Sequence, residues 1–134
     1  MTVERQNISS GTPWEKTVGY SRAVRIGGLI FVSGTVASDE SGRIHAPGNA
    51  GEQTRYVLAK IGRALQQAGA SLHDVVRVRV FLVDMDDLEA VGRAHHEVFA
   101  DIRPANTTVA VSALASPECR IEIEVDAVLR SSTT

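Results

Sequence analysis

The chain has 134 residues and a formal charge of −2, from 14 basic and 16 acidic side chains, with only 4% aromatic residues. That length suits a single domain over 1–134, whose core would bury roughly 68% of the unfolded surface. Near-balanced charge without a basic stripe argues against nucleic acid as a partner, and no apolar run reaches the length needed to span a membrane.

Cys119 is the only cysteine, so no intrachain disulfide can form and a reducing compartment is expected. The polar start lacks the apolar segment of a signal peptide, and a cytoplasmic protein is the expectation. Residues 22–26 and 29–33 form a predicted hairpin, with Gly27-Gly28 supplying the positive φ angles of a two-residue turn. A polar loop over 38–43 and the pair Pro47-Gly48 follow, with a short strand expected near Ile44.

Asn49, with Glu52 three residues on, marks the start of a first helix. Val57, Leu58, Ile61, Leu65 and Ala68 recur at helical spacing, opposite Arg55, Lys60, Arg63 and Gln67, and Gly69 is placed to end the helix. From 75 to 83 the period becomes two: Val76, Val78, Val80 and Leu82 share one face, and Arg77, Arg79 and Phe81 the other. A second helix is predicted from about Asp86, with Leu88, Val91, His95, Val98 and Phe99 as its stripe, ending before Pro104. Two further strands alternate, over 107–114 and 121–127.

Two amphipathic helices on one face of a mixed sheet make a two-layer α+β domain. The other face is expected to carry Arg77, Arg79, Phe81, Thr108, Ala110, Ser112, Glu122 and Glu124. Small residues mixed with opposite charges fit contact with another copy of the chain better than solvent.

Other constellations carry less. His95, His96 and Glu97 are adjacent on a helix and diverge by about 100° each, so they cannot converge on one metal ion. Ser33 lacks the strained Gly-x-Ser-x-Gly turn of a hydrolase nucleophile, and Gly27-Gly28 belongs to a hairpin, not a phosphate loop.

Several segments together resemble one family. Gly19-Tyr-Ser-Arg-Ala23, Phe31-Val-Ser-Gly34, Ala68-Gly-Ala-Ser-Leu-His-Asp-Val-Val76, Arg103-Pro-Ala-Asn-Thr-Thr-Val109 and Ile121-Glu-Ile-Glu124 follow the order and spacing of the RidA (YjgF/UK114) proteins. The resemblance implies a RidA-like, chorismate-mutase-like fold. It also implies a homotrimer whose sheets form a central barrel, with three clefts between subunits. It further implies binding of a small enamine, imine or keto acid, and hydrolytic release of ammonia without metal or organic cofactor. Carried over by position, Glu122 would handle water, while Tyr20, Ser33, Gly34 and Thr108 would line the cleft.

Asn106 stands where better-known members have the arginine that holds a substrate carboxylate, which implies an altered substrate. Arg22 replaces a glutamine, Thr35 another glutamine, and Gly92 an asparagine. Arg120 shares strand parity with Glu122, and Arg103 precedes the motif, so either is a candidate replacement anchor for an anion. The expectation is a deaminase of this type. The alternatives are a non-catalytic ligand-binding or regulatory trimer and, third, a ribonuclease, the older label of some relatives.

Overall fold

In the computed structural model, which describes residues 3–130, six strands form one sheet and two helices pack on one side of it. The chain runs β1 (Arg5–Ile8), β2 (Ala23–Ile26), β3 (Leu29–Thr35), α1 (Ala50–Gln67), β4 (Val75–Leu82), α2 (Leu88–Phe99), β5 (Ala105–Ala110) and β6 (Ile121–Val128). The sheet order is β1-β2-β3-β6-β4-β5. Only β4 and β5 pair in parallel, because α2 carries the chain back across the sheet between them. The arrangement is the two-layer α+β fold expected from the helical and strand periods.

Hydrophobic burial follows those periods. Val57, Leu58, Ile61 and Leu65 of α1 meet Ile30, Val78, Val80, Leu82, Ile121, Ile123 and Val125 of the sheet in one core. Removing such side chains from water contributes about 1.5–3 kcal/mol each, which is what holds the helix layer down. The Asn49 side chain accepts from the Glu52 amide at 3.0 Å and starts α1. Gly27, at φ 57°, makes the hairpin turn between β2 and β3.

Five expectations need correction. The sheet has an extra edge strand, β1, whose polar sequence carries no alternation, and β5 ends at Ala110 rather than 114. Near Ile44 there is only an isolated bridge to Ser38. A bulge between Val75 and Arg77 breaks the parity of β4, so Val75 is buried while Val76 is exposed. Finally, Thr108 and Ala110 face the helix layer. They pair with Val80 and Leu82, and partners in a parallel ladder point to the same side. Thr107 and Val109 therefore join Arg77, Arg79, Phe81, Glu122 and Glu124 on the open face, and Ser112 lies beyond the strand.

Candidate functional site

The predicted site residues fall into two groups on opposite faces of the sheet. The first is built where β3 is irregular. The ladder between β3 and β6 shifts between Val32 and Thr35, which leaves Ser33 and Gly34 outside regular pairing. Ser33 is held by its hydroxyl on the Ser21 carbonyl at 2.7 Å and by its amide on the Arg22 carbonyl at 3.0 Å. Glu122 of β6 lies directly against Gly34: a Cβ at position 34 would collide with Glu122 Oε2. Any larger residue there would force that carboxylate to swing aside.

Glu122 is half-buried and takes no hydrogen bond or ion pair among the described residues, whereas its neighbours Glu124 and Asp126 are engaged by Arg79 at 3.4 and 3.5 Å. Burial pushes the Glu122 carboxyl above the usual carboxylate range; the Arg22 charge pulls it back and Glu124 adds to the rise. A carboxyl that is neither paired nor fully solvated is suited to accept and return a proton.

Beside it stands Arg22. One guanidinium nitrogen, Nη2, donates to the Gly34 carbonyl at 2.6 Å. The guanidinium carbon lies 5.9 Å from the centre of the Tyr20 ring, within cation–π range. Its Nε is buried without a partner among the described residues. Tyr20 follows a π-helical turn over Glu15–Gly19 that is fixed by buried Glu15. The Glu15 carboxylate accepts from the Ser9 hydroxyl at 2.8 Å, from the amide and hydroxyl of Ser10 and from the Thr12 hydroxyl. That turn presents Trp14 and Val18 to solvent next to Tyr20.

The second group lines a groove of about 340 Å³ between α2 and β5, bounded by Val80, Leu88, Val91, Gly92, His95, Asn106 and Thr108. The Thr108 hydroxyl donates to Asn106 Oδ1 at 2.8 Å, and Asn106 Nδ2 lies 3.2 Å from His95 Nε2. Burial, then the neighbouring His96, lower the pKa of His95, which favours the neutral ring that can accept from the amide. His95 also packs at 4.7 Å on Phe99. Within one chain these residues cannot meet Glu122, which lies two strands away on the other face.

Of the two arginines expected near the site, Arg120 is engaged elsewhere. Arg120 precedes β6, where alternation has not begun, so strand parity does not govern it. Its guanidinium is bound by Asp87 at 2.8 Å and Asp84 at 3.7 Å, at the start of α2. Arg103 lies in the turn after α2 at φ 55°, with its amide on the Phe99 carbonyl.

Sequence reasoning passed over two residues. Arg22 was visible only as a departure from a glutamine. The helical spacing puts Lys60 on the solvent side of α1, yet its ammonium binds the carbonyls of Val36 and Ser38, both at 2.8 Å. Burial, aided by Arg22 and Arg63, lowers the Lys60 pKa to about 8. Cys119 is buried and burial raises its thiol pKa, which disfavours a nucleophilic thiolate. Glu97 of the His95-His96-Glu97 run is taken by Arg55 at 2.6 Å. Among the described residues, no helix is long and apolar enough to cross a membrane.

A model of the family described as Endoribonuclease L-PSP matches residues 12–129. The 2-iminobutanoate/2-iminopropanoate deaminase of Mus musculus is 35% identical over 124 residues, 92% of this chain and 91% of that one. The 3-aminoacrylate deaminase RutC of Acinetobacter baylyi is 36% identical over 116 residues, 87% of this chain and 90% of that one. A solved structure from Mycobacterium tuberculosis, a member of the YjgF/YER057c/UK114 family, matches with a TM-score of 0.85 at 44% identity, covering 94% of this chain and 100% of that one. The unpaired glutamate on its glycine thus lies in a chain that belongs to the Endoribonuclease L-PSP family, the family of the YjgF/YER057c/UK114 proteins.

Proposed function

We propose that the protein is a homotrimeric deaminase that hydrolyses small imines, or enamines after their tautomerisation, in clefts between its subunits. The observation that carries this reading is Glu122, a half-buried carboxylate without a partner among the described residues, set against a glycine. Two relatives are named as deaminases of such compounds. The separation of Glu122 from Asn106 and Thr108 within one chain supports a site completed by a second copy.

In the proposed reaction, Glu122 takes a proton from water as the water oxygen bonds to the imine carbon, and passes that proton to nitrogen. This gives a neutral carbinolamine. Glu122 then takes the hydroxyl proton and delivers it to nitrogen as the C–N bond breaks, so that a carbonyl compound and ammonia leave. Tyr20 and Gly34 form the wall beside the reacting carbon. Thr108 and Asn106 of a neighbouring copy close the opposite side. A lone buried thiol fits a cytoplasmic location.

The test is carbonyl-product formation from imines generated in situ by an amino-acid oxidase. The wild-type chain is expected to accelerate release over buffer, and Glu122→Gln to lose at least about 100-fold, the scale of one general acid–base group. No acceleration across several amino acids, with the assembly intact, would remove the reading.

A second reading, a non-catalytic binder, is favoured by one observation: the Asn106 amide is already engaged by Thr108 and His95. Activity that appears only in Asn106→Arg would support it. Cleavage of RNA is disfavoured, because Arg77 and Arg79 of the open face are paired with Glu124 and Asp126 and leave no free basic stripe for phosphates.

A further inference from the structure

We propose that Arg22 is the anion-binding residue of this chain, holding the carboxylate of a small 2-oxo or 2-imino acid on the same side of the cleft as Glu122. The inference rests on the site described for Glu122 and names its ligand class.

The other arginines around the sheet are largely neutralised. Arg79 faces Glu124 and Asp126, and Arg77 lies 3.9 Å from Asp126. Arg120 belongs to Asp84 and Asp87. The outer helix arginines Arg55 and Arg93 have their own glutamates. Arg25 is spent on the carbonyls of Gly27 and Ala68.

Arg22, like Arg25, Arg63 and Arg103, makes no ion pair among the described residues, and two features set its guanidinium apart from theirs. A single hydrogen bond, Nη2 to the Gly34 carbonyl, fixes its guanidinium, and Nη1 has no partner among the described residues. Its Nε is a buried donor without an acceptor among the described residues, which leaves the unpartnered Nη1 as the donor a ligand can reach.

Placement supplies the rest. Gly34 links the two groups, since its carbonyl holds Arg22 while its Cα supports Glu122. A ligand seated on Gly34 therefore meets a planar cation and a proton-transferring carboxyl together. In a 2-imino acid the reacting carbon is bonded directly to the carboxylate carbon, so one short molecule engages both. Position 106 offers no competing charge, because Asn106 is a neutral amide closed into its own hydrogen bonds. A guanidinium matches the two oxygens of a carboxylate better than any neutral side chain does.

The probes are pyruvate and its uncharged isostere pyruvamide, titrated calorimetrically into the assembled protein. The wild-type chain is expected to bind pyruvate at least about tenfold more tightly than pyruvamide, the value of one charged hydrogen bond over a neutral one. Arg22→Gln should weaken pyruvate by about ten- to a hundredfold and leave pyruvamide nearly unchanged. Arg22→Lys, which keeps the charge, should fall between.

Equal binding of the two probes by the wild-type chain overturns the inference, as does undetectable pyruvate binding or Arg22→Gln at wild-type affinity. Should Arg22→Gln fail to fold, the wild-type comparison decides alone. Imine hydrolysis is scored separately. Arg22-dependent pyruvate binding without hydrolysis would sink the deaminase reading and keep the anion site. Hydrolysis with an unchanged KM for imino acids in Arg22→Gln would do the reverse.

Discussion

At Glu122, three influences act on one proton. Burial favours the neutral acid, the Arg22 charge favours the carboxylate, and Glu124 again favours the acid. If Glu122 is the base, the acid limb of a kcat/KM profile lies above the ordinary carboxylate range. Glu124→Gln removes a like charge and should move that limb to lower pH. Arg22→Gln removes the opposing cation and should move it to higher pH. Profiles measured on the three proteins check both signs, and shifts in one common direction would contradict the arrangement. Glu122 itself was legible, because it falls within the Ile121-Glu-Ile-Glu124 pattern of the family. Arg22 was not, since its part depends on the Gly34 carbonyl and the Tyr20 ring, which the fold alone brings to it.

Individual elements explain how the carboxylate is held in place. Gln53 of α1 is fully buried. Its amide nitrogen donates to the carbonyls of Ala46 and Glu118, at 3.2 and 2.9 Å, and its oxygen accepts from the Arg120 amide at 2.8 Å. One side chain thereby ties the loop before α1 to the segment that launches β6. Gln53→Leu keeps the bulk but leaves three backbone groups unmet. It should destabilise the fold by on the order of 3 kcal/mol, at about 1–3 kcal/mol per buried unsatisfied group, read as a lower urea midpoint. Helical spacing made α1 and α2 readable, and alternation did the same for β4 and β6. Alternation also says which residues of β5 share a side, but not which side. Only the parallel register with β4 turns Thr108 toward the helices. β1 and the π-helical turn at Glu15 had no periodic signal, and side-chain bonding to Glu15 fixes that turn.

Across the whole molecule, the uncovered face carries Leu29, Phe31 and Val109, each more than 40% exposed, beside the Arg79, Glu124 and Asp126 cluster. Such a face fits a closed assembly of identical chains. As the proposed homotrimer, the protein should give three times 14.4 kDa in a native mass measurement. Phe31→Asp, which adds a charge to that face, should yield separate chains with ammonia release lost. A wild-type chain that sediments singly would remove both the trimer and its clefts. The frame and the chemistry also answer acid differently. The Glu15 carboxyl is pushed up by burial, but its hydroxyl and amide donors from Ser10, Ser9 and Thr12 more than reverse this, so its pKa lies below the ordinary value. Its stabilising contribution is complete above the unfolded value and fades only as pH falls through the lowered one. Glu122 gains its proton earlier on the same descent. Mild acidification should thus silence turnover while the Tyr20 wall stands, and neutralising the sample should restore the rate at once without a refolding lag.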